Sequence, residues 1–119
     1  MMGSTSQIVE EAANKGLEII AITDHNDIAF IDDVREEATK KGIVVFPGIE
    51  ISTQEAHLLA IFEPDESVAK LNEFLPYIGI RGEDRGDKEA MSQSFEEVLK
   101  KISEYGGIAI TKKTWFWRF

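Results

Sequence analysis

Apolar and polar positions change period several times along this chain, and each change marks an element. Over 4–15, Ile8, Val9, Ala12 and Ala13 recur at helical spacing behind a Ser4/Gln7 capping pair, and Gly16 is placed to stop the helix. Residues 17–23 are a short apolar run and predict a strand. Asn26 or Asp27 can cap a second helix with Ile28, Ile31, Val34 and Ala38 on one stripe and Gly42 at its end. A second strand is predicted at 43–46, with Pro47-Gly48 turning or bending it before Ile49-Glu50-Ile51. A third strand follows at 57–62, and Asp65 can cap a helix over about 66–75. Between 79 and 92, the stretch from Arg81 to Lys88 has no apolar side chain to anchor it and reads as a solvated surface loop. Ser94 and Glu97 form a further capping pair for a helix lined by Phe95, Val98, Leu99 and Ile102. Gly106-Gly107 ends that helix, and Ile108-Ala109-Ile110 begins a fourth strand.

Helices alternating with strands predict an α/β fold with a mainly parallel sheet. The connection from Glu50 to His57 is too short for a crossover helix, so it predicts a hairpin or a bent strand. There is no internal repeat. The pattern divides the chain into one domain over 1–110 and an atypical tail over 111–119, where four of the last five residues (Trp115, Phe116, Trp117 and Phe119) are aromatic and Lys112, Lys113 and Arg118 are basic. A buried strand, an oligomer contact and a non-native end are all compatible with that tail.

Composition narrows the classes. With 119 residues, 43% hydrophobic and 29% charged, the chain is globular and large enough for one modest core. A net charge of −9 repels a phosphate backbone and argues against general nucleic-acid binding. Clustered carboxylates around a cation would contribute to the same charge, so a phosphorylated small molecule or nucleotide remains an expected substrate. No cysteine is present, which is compatible with a cytoplasmic location and leaves His, Asp and Glu as metal ligands. No apolar run is long enough to span a membrane.

The candidate chemistry sits at strand ends. The chain's two histidines, His25 and His57, lie beside apolar runs, as do Asp24 and Glu50. Imidazole and carboxylate suit zinc, manganese or iron, and a carboxylate can bridge two ions. Taken singly, each residue has a plainer role. Asp24 can cap a helix, His25 can hydrogen-bond before that helix, Glu50 can be an exposed hairpin carboxylate and His57 the first residue of a strand. Together they predict one cleft, with the side chains of His25, Glu50 and His57 turned toward it from the same side of a parallel sheet.

Thr23-Asp24-His25-Asn26, Pro47-Gly48-Ile49-Glu50-Ile51-Ser52 and His57-Leu58-Leu59-Ala60-Ile61-Phe62, in that order, resemble the middle motifs of the PHP (polymerase and histidinol phosphatase) family. Gly106-Gly107-Ile108-Ala109-Ile110 resembles the approach to a further motif of that family. The run looks most like PHP domains attached to AAA-like ATPases. The resemblance implies a distorted (β/α)7 barrel that binds up to three divalent ions and hydrolyses phosphate esters. It implies metal-ligand roles for His25, Glu50 (as the bridging carboxylate) and His57, and a supporting catalytic role for Asp24.

Three family features are missing: the opening His-x-His strand, the Ala-His-Pro-like motif, which Thr111-Lys112-Lys113-Thr114 replaces, and the later Asp-x-His motif. The sequence therefore predicts a partial, truncated PHP-type barrel with an incomplete metal site holding one ion or none. The expected activity is that of a metal-dependent phosphoesterase domain, weak or inactive in this chain. The alternative is a non-catalytic regulatory or oligomerisation module that keeps the fold. Unpaired sheet edges and the aromatic tail further predict a homo-oligomer, most simply a dimer.

Overall fold

The computed structural model describes residues 3–25, 28, 31–87 and 91–112, with the backbone alone at 3–6, 24, 25 and 112. The elements run α1 (Gly3–Asn14), β1 (Ile19–His25), α2 (Ile31–Lys40), β2 (Val44–Ser52), β3 (His57–Ile61), α3 (Val68–Tyr77), α4 (Phe95–Glu104) and β4 (Ile108–Lys112). The proposed capping residues Asn26 and Asp27 and the tail beyond Lys112 lie outside the described residues, as does the Ser4 side chain.

Glycine stops end the first two helices as the sequence predicts. Gly16 and Gly42 adopt φ of 75° and 72°, which L side chains reach only with strain. The left-handed residue lets the next N–H turn back to the last helical turn, Leu17 to the Ala12 carbonyl and Ile43 to the Ala38 carbonyl, both at 3.0 Å. The α3 cap differs from expectation. Ser67, not Asp65, is the N-cap, and its hydroxyl accepts from the Lys70 N–H at 3.1 Å. At α4 the Ser94 side chain accepts from the Glu97 N–H at 3.3 Å, as predicted.

Strand order is β1-β2-β3-β4 in one open sheet. The mainly parallel sheet is not what forms: β1 and β2 pair in parallel, whereas β2–β3 and β3–β4 are antiparallel. The described strands also leave the sheet open rather than closed into a barrel. Two connections cause this. Residues 53–56 make a hairpin loop between β2 and β3, as the short spacing predicts. Between β3 and β4 lie the two α-helices that the sequence predicts, where a parallel return commonly uses one crossover helix. They run antiparallel, with Lys70 against the Tyr105 ring at one end and the Gln93 N–H on the Ile78 carbonyl at the other. The second helix reverses the chain once more, so β4 returns antiparallel to β3.

Pro47-Gly48 does not break the second strand, which runs unbroken from Val44 to Ser52. The Pro47 carbonyl accepts from the Phe62 N–H at 2.8 Å, one step beyond the last β2–β3 register pair, Gly48 with Ile61. The proline nitrogen faces the same side as its carbonyl, so its missing N–H forfeits only a bond at the mouth of the ladder. Gly48 is required by close approach: an added Cβ would lie 2.7 Å from Thr23 Cγ2 and 3.0 Å from the Ala60 carbonyl oxygen.

All four helices cover one face of the sheet. Val45, Ile49 and Ile51 of β2 are buried, as are Leu58 and Ala60 of β3. At one end Val45 packs with Val9 and Ala12 of α1 and with Val34 and Ala38 of α2. At the other, Ile49, Ile51 and Leu58 pack with Leu71, Phe74 and Leu75 of α3 and with Val98 and Ile102 of α4. The opposite face is free of helices and carries exposed apolar side chains, with Ile19 at 61%, Ile108 at 63% and Ile110 at 48% exposure.

A second close approach fixes the start of β4. A Cβ on Gly107 would lie 2.8 Å from two atoms of the Phe62 ring, which is 1% exposed and has no room to yield. Gly107→Ala should therefore destabilise the fold by about 1–3 kcal/mol through overpacking. Chemical denaturation measures this, and an unchanged midpoint would contradict the packing described.

Candidate functional site

Strand register places the candidate residues. His25 pairs with Glu50 across the parallel β1–β2 ladder. Glu50 pairs with Leu59, and Ser52 with His57, across β2–β3. Strand side chains alternate between faces, so Glu50 and Ser52 lie opposite in phase to the buried Ile49 and Ile51, and His57 opposite to Leu58. Glu50, Ser52 and His57 thus share the helix-free face. Glu50 and His57 are diagonal neighbours there, a relation that spans about 7–8 Å between backbones and is within reach of long side chains. Glu50 is half-buried and His57 exposed.

His25 holds the register position beside Glu50, at the end of β1. Asp24 pairs with Ile49, one step out of phase. The side chains of both lie outside the described residues. His57 opens an antiparallel strand, so it shares the face with Glu50 through the hairpin and not through a parallel neighbour.

The hairpin that presents His57 is tightly held. The Thr53 N–H donates to the Ala56 carbonyl at 3.0 Å, and so does the Thr53 hydroxyl, at 2.6 Å; that hydroxyl also accepts from the Ala56 N–H at 3.0 Å. The carboxylate of Glu55 accepts from the Phe95 N–H at the start of α4 at 3.2 Å. The Ser52 carbonyl accepts from both the N–H and the hydroxyl of Ser92, at 2.9 and 3.1 Å. The end of the predicted solvated loop is thereby tied to β2. Sequence reasoning quoted Ser52 only as the end of the 47–52 motif and gave neither it nor Ser92 a role. Ser52 is signalled only once the hairpin register makes it the partner of His57.

The donor chemistry of Glu50 and His57 suits a divalent cation, and His25 stands at the adjoining register position. Among the described residues, no group of three or more His, Cys, Asp or Glu forms a ready metal cage. An apolar groove of about 580 Å³ lies elsewhere, between α1 and β1, lined by residues including Ile8, Leu17, Ile20 and Ile22. It holds none of the candidate ligands. Among the described residues no helix is long and apolar enough to cross a membrane.

Comparison with known proteins gives the lineage. The chain is 33% identical over 103 residues to an uncharacterized protein of Methanocaldococcus jannaschii, covering 87% of this chain and 47% of that one. The chain thus spans about half the length of this curated relative. Two solved structures share the fold over 90% of this chain and 60% of theirs. One is an amidohydrolase from Chromobacterium violaceum, with a TM-score of 0.66 and 16% identity. The other, from Bifidobacterium adolescentis, is a candidate metal-dependent phosphoesterase, with a TM-score of 0.63 and 18% identity. The PHP domain family matches residues 2–112, nearly the whole sequence, and the chain belongs to that family.

Proposed function

We propose that this chain supplies metal-binding residues to a metal-dependent phosphoesterase of the PHP type. The observation that carries the reading is the register, which sets His25 beside Glu50 and brings His57 onto the same face through the hairpin. In this reading Glu50 would supply the negative charge that holds the cation, and His25 and His57 would supply imidazole nitrogens. Asp24 supports His25 from the end of the same strand. A bound zinc, manganese or iron ion would polarise a phosphoryl oxygen and acidify a coordinated water. The substrate is a phosphorylated small molecule or nucleotide, whose negative charge the cation makes acceptable in an acidic protein. The resemblance of the whole run is the ground for reading the parent as of the kind joined to AAA-like ATPases.

The test is hydrolysis of p-nitrophenyl phosphate with added manganese or zinc. Slow, chelator-sensitive turnover that Glu50→Gln removes is expected. Turnover indifferent to chelator or to Glu50→Gln would contradict the reading.

The exposed apolar side chains on the helix-free face favour a second reading, a module whose role is assembly. Exposed Ile19 pairs with exposed Val44, and exposed Ile108 with half-buried Ile61, so apolar side chains adjoin across the sheet. Light scattering over a concentration series should give a mass above the 13.4 kDa of one chain, with a dimer as the simplest case. A dimer without metal-dependent turnover would favour assembly, and 13.4 kDa throughout would overturn the association.

A further inference from the structure

We propose that Ser52 is a positioning residue that fixes the tautomer of His57, holding a proton on Nδ1 and leaving the Nε2 lone pair free for a cation. The inference rests on the reading of His57 as a metal ligand, but its first test does not. Ser52 Oγ lies 3.4 Å from His57 Nδ1. A neutral imidazole has one N–H and one lone pair, and the partner of one nitrogen decides what the other can do. A hydroxyl accepting from Nδ1–H aims Nε2 outward as an acceptor. A hydroxyl donating to Nδ1 would place the ring proton on Nε2 and block it.

The setting makes Ser52 a fixed reference for the ring. It is 3% exposed although it lies on the helix-free face, whereas His57 is exposed. Cross-strand pairing sets the two residues opposite each other. The Ser52 backbone is pinned by the two Ser92 bonds to its carbonyl, and the Thr53–Ala56 bonds close the loop that leads to His57. The short side chain therefore meets Nδ1 from a backbone with little freedom. Histidines that bind metals commonly make such an anchoring bond through their second nitrogen.

The experiment is long-range ¹H–¹⁵N NMR of the imidazole rings at about pH 8.5, where a free imidazole is neutral, on metal-free protein, with His57→Gln identifying the His57 signals. In the unaltered protein the Nδ1–H tautomer should dominate at His57. A dominant Nε2–H tautomer would overturn the proposal without recourse to any variant. Ser52→Ala should move His57 toward a mixture of tautomers, and Ser52→Thr should keep the original pattern. An unchanged tautomer in Ser52→Ala would also overturn it. Zinc affinity should fall about 10–100-fold in Ser52→Ala and recover in Ser52→Thr. If the tautomer responds as stated but the unaltered protein takes up no zinc, the positioning role stands and the metal reading fails.

Discussion

Phe74→Ala should lower the unfolding free energy by about 3–5 kcal/mol, the usual range for emptying a buried aromatic site. Phe74 is fully buried at the centre of the helix-covered core. Its ring meets Phe62 edge-on at 5.2 Å and Tyr105 at 5.1 Å, so it joins the strand side of the sheet to α3 and to the end of α4. Removing it leaves a cavity between elements that cannot all close inward, and it also breaks two aromatic pairs worth about 0.5–1.5 kcal/mol each beyond their buried area. Domains of this kind hold about 5–15 kcal/mol in total, so much of the population should unfold in mild denaturant. Urea titration followed by circular dichroism measures the loss. A change under about 1 kcal/mol would mean that this cluster is not the core that orders the sheet.

The second large effect concerns the site. Glu50→Gln should weaken zinc or manganese binding by about 100-fold or more, since a set of four zinc ligands contributes about 10–16 kcal/mol together and each 1.4 kcal/mol is about tenfold. The substitution keeps the side chain's size and removes its charge. Calorimetric titration gives the affinity. Equal affinity in the two proteins would remove Glu50 from the site. His57→Gln should weaken binding similarly, whereas substitutions at Asp32 or Asp33 in the first turn of α2 should not.

Much of this was legible in the sequence because local chemistry decides it. Gly16 and Gly42 end helices through backbone freedom, and Ser94 caps α4 through its own hydroxyl. Apolar periodicity located the strands and most of the core, including Ile31, Val34 and Ala38 on α2. The antiparallel β2–β3 hairpin was legible in its short connection, but the direction of β4 was not. It depends on how the two helices between β3 and β4 reverse the chain, and helical periodicity does not encode their mutual packing. Pro47-Gly48 misled because the same dipeptide signals a turn in isolation and is tolerated here where a ladder ends. Asp65 and Ser67 are both good caps, and the choice between them lies in where tertiary packing starts α3.

The candidate residues could be named from the sequence, but their geometry could not. His25, Glu50 and His57 could be picked out from their motifs, but their relation depends on the exact pairing of three strands. A one-residue slip would move Glu50 to the buried face. The role of Ser52 was illegible for the same reason, since nothing local distinguishes it from any serine at a strand end.

The most direct measurement of the central claim is paramagnetic broadening by trace manganese in the ¹H–¹⁵N spectrum of the protein. If His25, Glu50 and His57 converge on one divalent cation, their amide signals and those of Ser52 should broaden first, while those of α3 and α4 stay sharp. Broadening that instead begins at the acidic first turn of α2, or no localised broadening at all, would contradict the account.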